Sequence, residues 1–141
     1  MSEHDEQSAL FEWAQRAAVE FPALRHMFAI PNGGHRHPAV AVQLQQEGVK
    51  PGVPDMFLPV PRYCAGVITH GLFIELKVGR NKASERQREW LAYLCDAGYL
   101  AVACYGWRDA AAVILDYLDV AATDKARLLG DAYALHVVKE G

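Results

Sequence analysis

The sequence predicts an α/β domain in which a mixed β-sheet is flanked by α-helices. Three observations predict it. Apolar residues recur at helical spacing near the start, short apolar runs rich in β-branched and aromatic residues follow, and Gly/Pro punctuation separates the two kinds of segment into the order α–(β)–α–β–β–α–β–α. The 141 residues suit one domain. A chain of that length buries roughly 68–70% of its unfolded surface, so its stability requires neither a disulfide nor a structural metal.

The first helix is expected over residues 3–20, where Leu10, Trp13, Ala14, Ala17 and Ala18 form one stripe and Pro22 closes the segment. Met27-Phe28-Ala29-Ile30 reads as a short strand, ended by Pro31 and the turn-forming Asn32-Gly33-Gly34. Pro38 suits the first turn of a helix through Gln46, and Gly48 its end. The Gly- and Pro-rich residues 48–54 form a loop. Residues 55–60 and 71–78 read as strands that pair antiparallel, joined by a loop around residues 63–70. Ser84 with Gln87 fits a capping box opening a helix over 84–96, whose buried stripe is Trp90, Leu91 and Leu94, with Gly98 at its left-handed end. Residues 99–105 are a buried strand and 109–118 a helix. Beyond them the pattern suggests one helical turn near Asp124 and a strand at 133–138. Residues 1–120 are thus read as the domain and 121–141 as a C-terminal extension suited to an interface.

Hydrophobic residues make up 52% and charged residues 22%, a globular balance. No apolar run is long enough to span a bilayer, and the acidic N-terminus lacks the basic start of a secretory signal, so a soluble, cytoplasmic protein is expected. Cys64, Cys95 and Cys104 lack the paired spacing of a zinc site, and the last two are expected to be reduced core side chains. The net charge of −3 hides an asymmetry. Residues 25–88 hold nine Lys/Arg against four Asp/Glu, whereas the remainder holds five against thirteen. A basic middle of this kind can present a phosphate-binding surface on an acidic protein.

Glu75 and Lys77 lie two apart in the strand at 71–78, so they share a face while Ile74, Leu76 and Val78 occupy the other. Ionised groups among apolar neighbours are costly to bury unless they pair or bind a metal. Asp55 begins the neighbouring strand and can meet Glu75 at one end of the sheet. Two converging carboxylates repel, and a divalent cation relieves the repulsion. Mg²⁺ commonly takes one or two carboxylates, with water and substrate phosphate completing its shell. Such an ion polarises a phosphoryl oxygen and acidifies bound water, while Lys77 can hold that water or stabilise developing charge. The combination suffices for phosphodiester hydrolysis, although Glu-x-Lys alone is commonly a strand-face ion pair.

These residues sit within longer matching stretches: Glu3-x-x-x-Gln7 before a helix containing Trp13; Ile30-Pro31-Asn32-Gly33-Gly34; Glu47-Gly48-Val49-Lys50-Pro51-Gly52-Val53-Pro54-Asp55; Leu72-Phe73-Ile74-Glu75-Leu76-Lys77; Ser84-x-x-Gln87-x-x-Trp90; and Gly98-Tyr99. Together they resemble the virus-type replication-repair nuclease (VRR-NUC) domains, a branch of the PD-(D/E)xK nuclease superfamily. The resemblance runs over residues 3–118.

The resemblance implies a PD-(D/E)xK nuclease-like mixed sheet and a Mg²⁺- or Mn²⁺-dependent endonuclease. Asp55 and Glu75 would ligate the metal with the Leu76 carbonyl as a further ligand, and Lys77 would be the catalytic lysine. Gln87 would lie beside the site, or serve only as the cap described above, since one side chain was expected to reach one place at a time. Glu3 would supply an acid from the first helix, with Glu6 close enough to substitute. Asn32, Gly33, Gly34 and Arg36, ahead of the helix at Pro38, suit a DNA phosphate, and Arg80 and Lys82 could flank the same groove. His35 and His37 are read as part of that loop, because a zinc site needs further ligands. Stand-alone members of the family are associated with phages and bacteria and with replication or repair intermediates, and some are dimers resembling junction resolvases. Branched DNA (a junction or flap) and a homodimer are therefore the expected substrate and state. The competing expectation is a nucleic-acid-binding or assembly module that has lost catalysis.

Overall fold

A computed structural model describes residues 1–31, 37–120 and 122–129. Helix α1 (Glu3–Ala17) starts at a reciprocal capping box between Ser2 and Asp5, and its acidic first turn complements the helix dipole. It buries Leu10, Trp13, Ala14 and Ala17, the expected stripe. The helix is shorter than the span to residue 20, because the chain turns into a 3-10 helix, Pro22–His26, opened by its proline.

The main sheet contains β1 (Phe28–Ala29), β2 (Met56–Leu58), β5 (Leu72–Lys77) and β6 (Leu100–Tyr105) in the order β1-β2-β5-β6. β2 is antiparallel to β1 and β5, whereas β5 is parallel to β6, so the sheet is mixed. Helix α3 (Glu85–Asp96) makes the crossover that the parallel pair requires. Helix α4 (Trp107–Tyr117) follows β6 and packs with α1.

Alternation along β5 decides the layers. Leu72, Ile74 and Leu76 join Leu10, Trp13, Ile114 and Leu115 in the core between the sheet and the α1/α4 layer. Phe73 and Glu75 face the other way, toward α3. There Phe57 stacks on Phe73 at 4.2 Å and Tyr99 meets Phe73 edge-on at 5.2 Å. Gly71 lies flush beneath this cluster, and a Cβ there would come within 2.5 Å of the Phe57 ring.

The loop expected around residues 63–70 is instead a two-stranded hairpin, β3 (Arg62–Cys64) with β4 (Val67–Thr69). Its two-residue turn puts Ala65 and Gly66 at positive φ, the mirror-image turn that matches strand twist. Tyr117 pins the hairpin to α4, its hydroxyl donating toward the Val60 and Thr69 carbonyls. Helix α2 (Pro38–Gln46) begins at its proline and buries no residue. Helix α5 (Ala122–Leu129) is longer than the single turn expected near Asp124. It is tied to α1 by Trp13 Nε1 donating to the Leu128 carbonyl, and to the turn after α1 by a bidentate Arg127–Glu20 pair, both bonds of the pair 2.7 Å. Leu129 enters the common core. The strand expected at 133–138 lies outside the described residues.

Cys104 is a buried core thiol whose pKa burial pushes up to about 12. Cys95 is exposed, contrary to expectation: it lies in the last turn of α3 beside the edge strand β6, where its thiol donates weakly to the Ala101 carbonyl. Among the described residues no helix is long and apolar enough to cross a membrane.

Candidate active site

The site forms where β2 begins and β5 ends. Met56 pairs with Ile74 in the antiparallel ladder, so the next step of that register sets Asp55 opposite Glu75. Part of the Asp55 carboxylate serves the backbone: its Oδ2 accepts from the Leu76 backbone N–H at 2.7 Å. The position facing Leu76 in the continued ladder is Pro54, which is fully buried and has no N–H. The ladder therefore offers no donor to the Leu76 carbonyl at that point. Pro54 thus both closes the strand pairing and frees backbone at the site.

Glu75 is only 2% exposed, and Lys77 7%. Lys77 Nζ lies 3.4 Å from Glu75 Oε1, and Gln87 Nε2 donates to the same oxygen at 2.8 Å. The other oxygen, Glu75 Oε2, is buried without a hydrogen-bond partner among the described residues. Burial, followed by the Asp55 charge, pushes Glu75 up to about 7; Lys77 pulls the other way and is outweighed. Glu75 is thus a carboxylate held ready to ionise and short of one partner.

Gln87 settles the choice left open by the sequence. While Nε2 reaches Glu75, Oε1 accepts from the Ser84 backbone N–H at 2.8 Å. One amide does both tasks with its two ends, so the expectation that capping and site contact exclude one another is corrected. The two acids of α1 also separate. Glu6 Oε2 accepts from the Trp107 N–H at 2.7 Å and caps α4. Glu3 is the exposed acid whose charge reaches Glu75 and adds to its raised pKa.

Arg80 and Lys82 are exposed on the turn between β5 and α3. Asn32, Gly33, Gly34 and Arg36 lie outside the described residues, as does His35. His37 caps α2, its Nδ1 accepting from the Ala39 N–H at 3.2 Å. Two neighbours of the site escaped the sequence reading. Tyr105, half exposed, is the parallel-ladder partner of Lys77, and Asp109 Oδ2 accepts from its N–H at 2.9 Å. Gly106, at φ 85°, donates to the Lys77 carbonyl. The signal was the Tyr-Gly step at the end of a strand, where a glycine in the left-handed region lets the chain turn into a helix.

A fit to a divalent cation rests on the orphaned Glu75 Oε2, the facing Asp55 and the Leu76 carbonyl. Among the described residues no three His, Cys, Asp or Glu side chains gather as a ready ligand cage. Two carboxylates with water and substrate oxygen suit Mg²⁺, whereas zinc sites usually draw three or four ligands from the protein, with Cys or His among them.

The family model for the VRR-NUC domain matches residues 3–107. The chain belongs to the VRR-NUC family. A solved structure described as a VRR_NUC domain protein is similar at 27% identity and a TM-score of 0.70, covering 85% of this chain and 90% of that one. Comparison with curated proteins gave no match. VRR-NUC domains are nucleases that act on DNA, which places the chain in a family of phosphodiester hydrolases. The site described above falls wholly inside the matched VRR-NUC span, as does the α3 segment that carries Gln87.

Proposed function

We propose that this VRR-NUC domain is a Mg²⁺- or Mn²⁺-dependent DNA endonuclease acting on branched DNA, with Asp55, Glu75 and Lys77 at its centre. The observation that carries the reading is Glu75 itself: a buried carboxylate with one oxygen lacking a partner among the described residues, opposite a second carboxylate. Ionising Glu75 with that oxygen unpartnered costs stability, which a bound cation would offset. When bound, the ion would supply charge neutralisation at the scissile phosphate and a more acidic water.

The chain's own residues divide the remaining work. Asp55 and Glu75 would hold the cation, with the Leu76 carbonyl completing the protein's share. Gln87 donates to Glu75 Oε1 and so leaves Oε2 as the oxygen available to a cation. Lys77, beside Glu75 on the same strand face, would orient the attacking water and stabilise charge on the phosphoryl group. Arg80 and Lys82, with Asn32, Gly33, Gly34 and Arg36, are proposed to hold DNA backbone. A homodimer would present two such sites to symmetric branches, in keeping with a role in replication, recombination or repair.

The test is cleavage of labelled four-way junction, flap and duplex DNA with Mg²⁺, with Mn²⁺ and with chelator, using wild type, Asp55→Asn and Lys77→Ala. Metal-dependent cleavage of the branched substrates, lost in both variants, is expected. Binding without cleavage under every condition would replace the reading with a catalytically silent DNA-binding module.

A further inference from the structure

We propose that Trp90 and Tyr93 form a stacking site for one unpaired nucleobase of the DNA, beside the cleavage centre. The inference rests on the nuclease reading and adds a base-recognition site to it. Trp90 lies one turn after Gln87 on α3, about 4.5 Å further along the axis. It also borders the loop that delivers Asp55: the position of a Cβ on Gly52 would fall 3.1 Å from Trp90 Cδ1. The indole therefore stands between the two segments that bring Gln87 and Asp55 to the site.

Two clefts share Trp90 in their walls. One cleft of about 380 Å³ runs between Trp90 and the Pro31, Glu47, Val49 and Lys50 side. Another of about 320 Å³ is bounded by Glu89, Trp90 and Tyr93. Tyr93 is 64% exposed and meets Trp90 edge-on, ring centroids 6.1 Å apart. Trp90 is half-buried, so the exposed Tyr93 ring and the open part of the indole together offer the kind of aromatic surface on which bases stack.

The charges choose the occupant. Glu47 and Glu89 on the rims would repel a phosphate, but they can accept from the amino groups of adenine, cytosine or guanine. Lys50 and Arg86, exposed nearby, can hold the flanking backbone. A base within a duplex has both faces covered by its neighbours, so the site takes only a base that is unpaired and unstacked.

Affinities are measured with Ca²⁺ in place of Mg²⁺, for a plain duplex, the same duplex with a single-stranded tail, and that duplex with abasic residues in the tail. Wild type should bind the normal tail about tenfold more tightly than the abasic tail, the scale of one stacked base. Tyr93→Ala and Trp90→Leu should erase that difference and leave duplex binding unchanged. Because Trp90 also packs on Gly52, Tyr93→Ala, whose ring is mostly in water, guards against an effect on folding, and Trp90→Phe should keep part of the gain. Equal affinity for normal and abasic tails would overturn the proposal, as would absence of DNA binding. A change in oligomeric state in Tyr93→Ala, seen by sedimentation, would overturn it in favour of a contact between copies of the chain. Base-dependent binding without any cleavage would instead sink the nuclease reading and leave this site standing.

Discussion

The side-chain amide of Gln87 ties Glu75 to the start of α3: Nε2 donates to Glu75 Oε1 at 2.8 Å while Oε1 accepts from the Ser84 N–H at 2.8 Å. Helix initiation and carboxylate placement are thus one interaction. Gln87→Ala removes both ends and should cost about 1–3 kcal/mol, the range for a lost cap together with an unsatisfied buried acceptor. Gln87→Glu keeps an acceptor for the cap but sets a carboxylate against Glu75. It should retain most of the helix stability and lose nuclease activity. Thermal melts beside cleavage rates separate the two effects; equal loss of stability in both variants would show that the cap is the smaller part.

The raised pKa of Glu75 makes stability depend on pH in a definite direction. The folded state holds its proton up to about 7, against 4.5 for the unfolded group, so it binds more protons between those values. Folding is therefore favoured at low pH, and this contribution is lost as pH rises through about 7. A shift of that size corresponds to a decline on the order of 3 kcal/mol across the window for metal-free protein. Glu75→Gln should flatten the slope and melt higher than wild type at pH 8 without metal. Mg²⁺ should restore wild type most strongly above pH 7, because binding requires the ionised carboxylate. Melting curves at pH 5 and pH 8, with chelator and with Mg²⁺, check all three statements.

Gly52 shows how the loop before Asp55 is seated. Its φ is +90°, and a Cβ would fall 2.6 Å from Arg86 Cγ and 3.2 Å from the Arg86 backbone carbon. Gly48 has a φ of +99° with nothing within 4 Å of the same position. Gly48→Ala should therefore cost only the backbone term, about 1 kcal/mol, whereas Gly52→Ala adds a clash with α3 and costs about 2–3 kcal/mol. Gly52→Ala should also lose activity beyond its loss of stability, since the strain falls three residues before Asp55. Cleavage assayed well below each melting temperature would distinguish displacement from unfolding.

The sequence revealed the parts of this arrangement that depend on local periodicity. Strand alternation sufficed to put Glu75 and Lys77 on one face, and Pro54 before Asp55 marked where pairing begins. The β3–β4 hairpin was hidden because its turn is Ala65-Gly66 rather than Asn-Gly, and because Pro59 and Pro61 mark a break after the preceding strand. The length of α5 was hidden because contacts from distant residues hold it, including Glu20 to Arg127. Gln87 was legible as either cap or site residue, but bonding through both ends of one amide appears only in three dimensions. The same holds for Glu6, whose partner Trp107 lies 101 residues away.

Glu3 and Glu6 are one helical turn apart, and their geometry assigns them different work. Glu6 supplies the acceptor for the Trp107 N–H, next to Gly106, which donates to the Lys77 carbonyl. Glu6→Ala leaves that part-buried donor unsatisfied and should cost about 1–3 kcal/mol. Glu3 is exposed and acts on Glu75 through charge alone, the smallest of the causes that shift it. Glu3→Gln should leave the melting temperature nearly unchanged and move the acidic limb of the pH–activity profile slightly lower, because one negative neighbour of Glu75 is gone. If instead Glu3→Gln abolishes cleavage outright, Glu3 belongs to the metal site and acts through more than its charge. If Glu6→Ala lowers activity only in proportion to stability, the Glu6 contact supports the end of β6 without positioning Lys77.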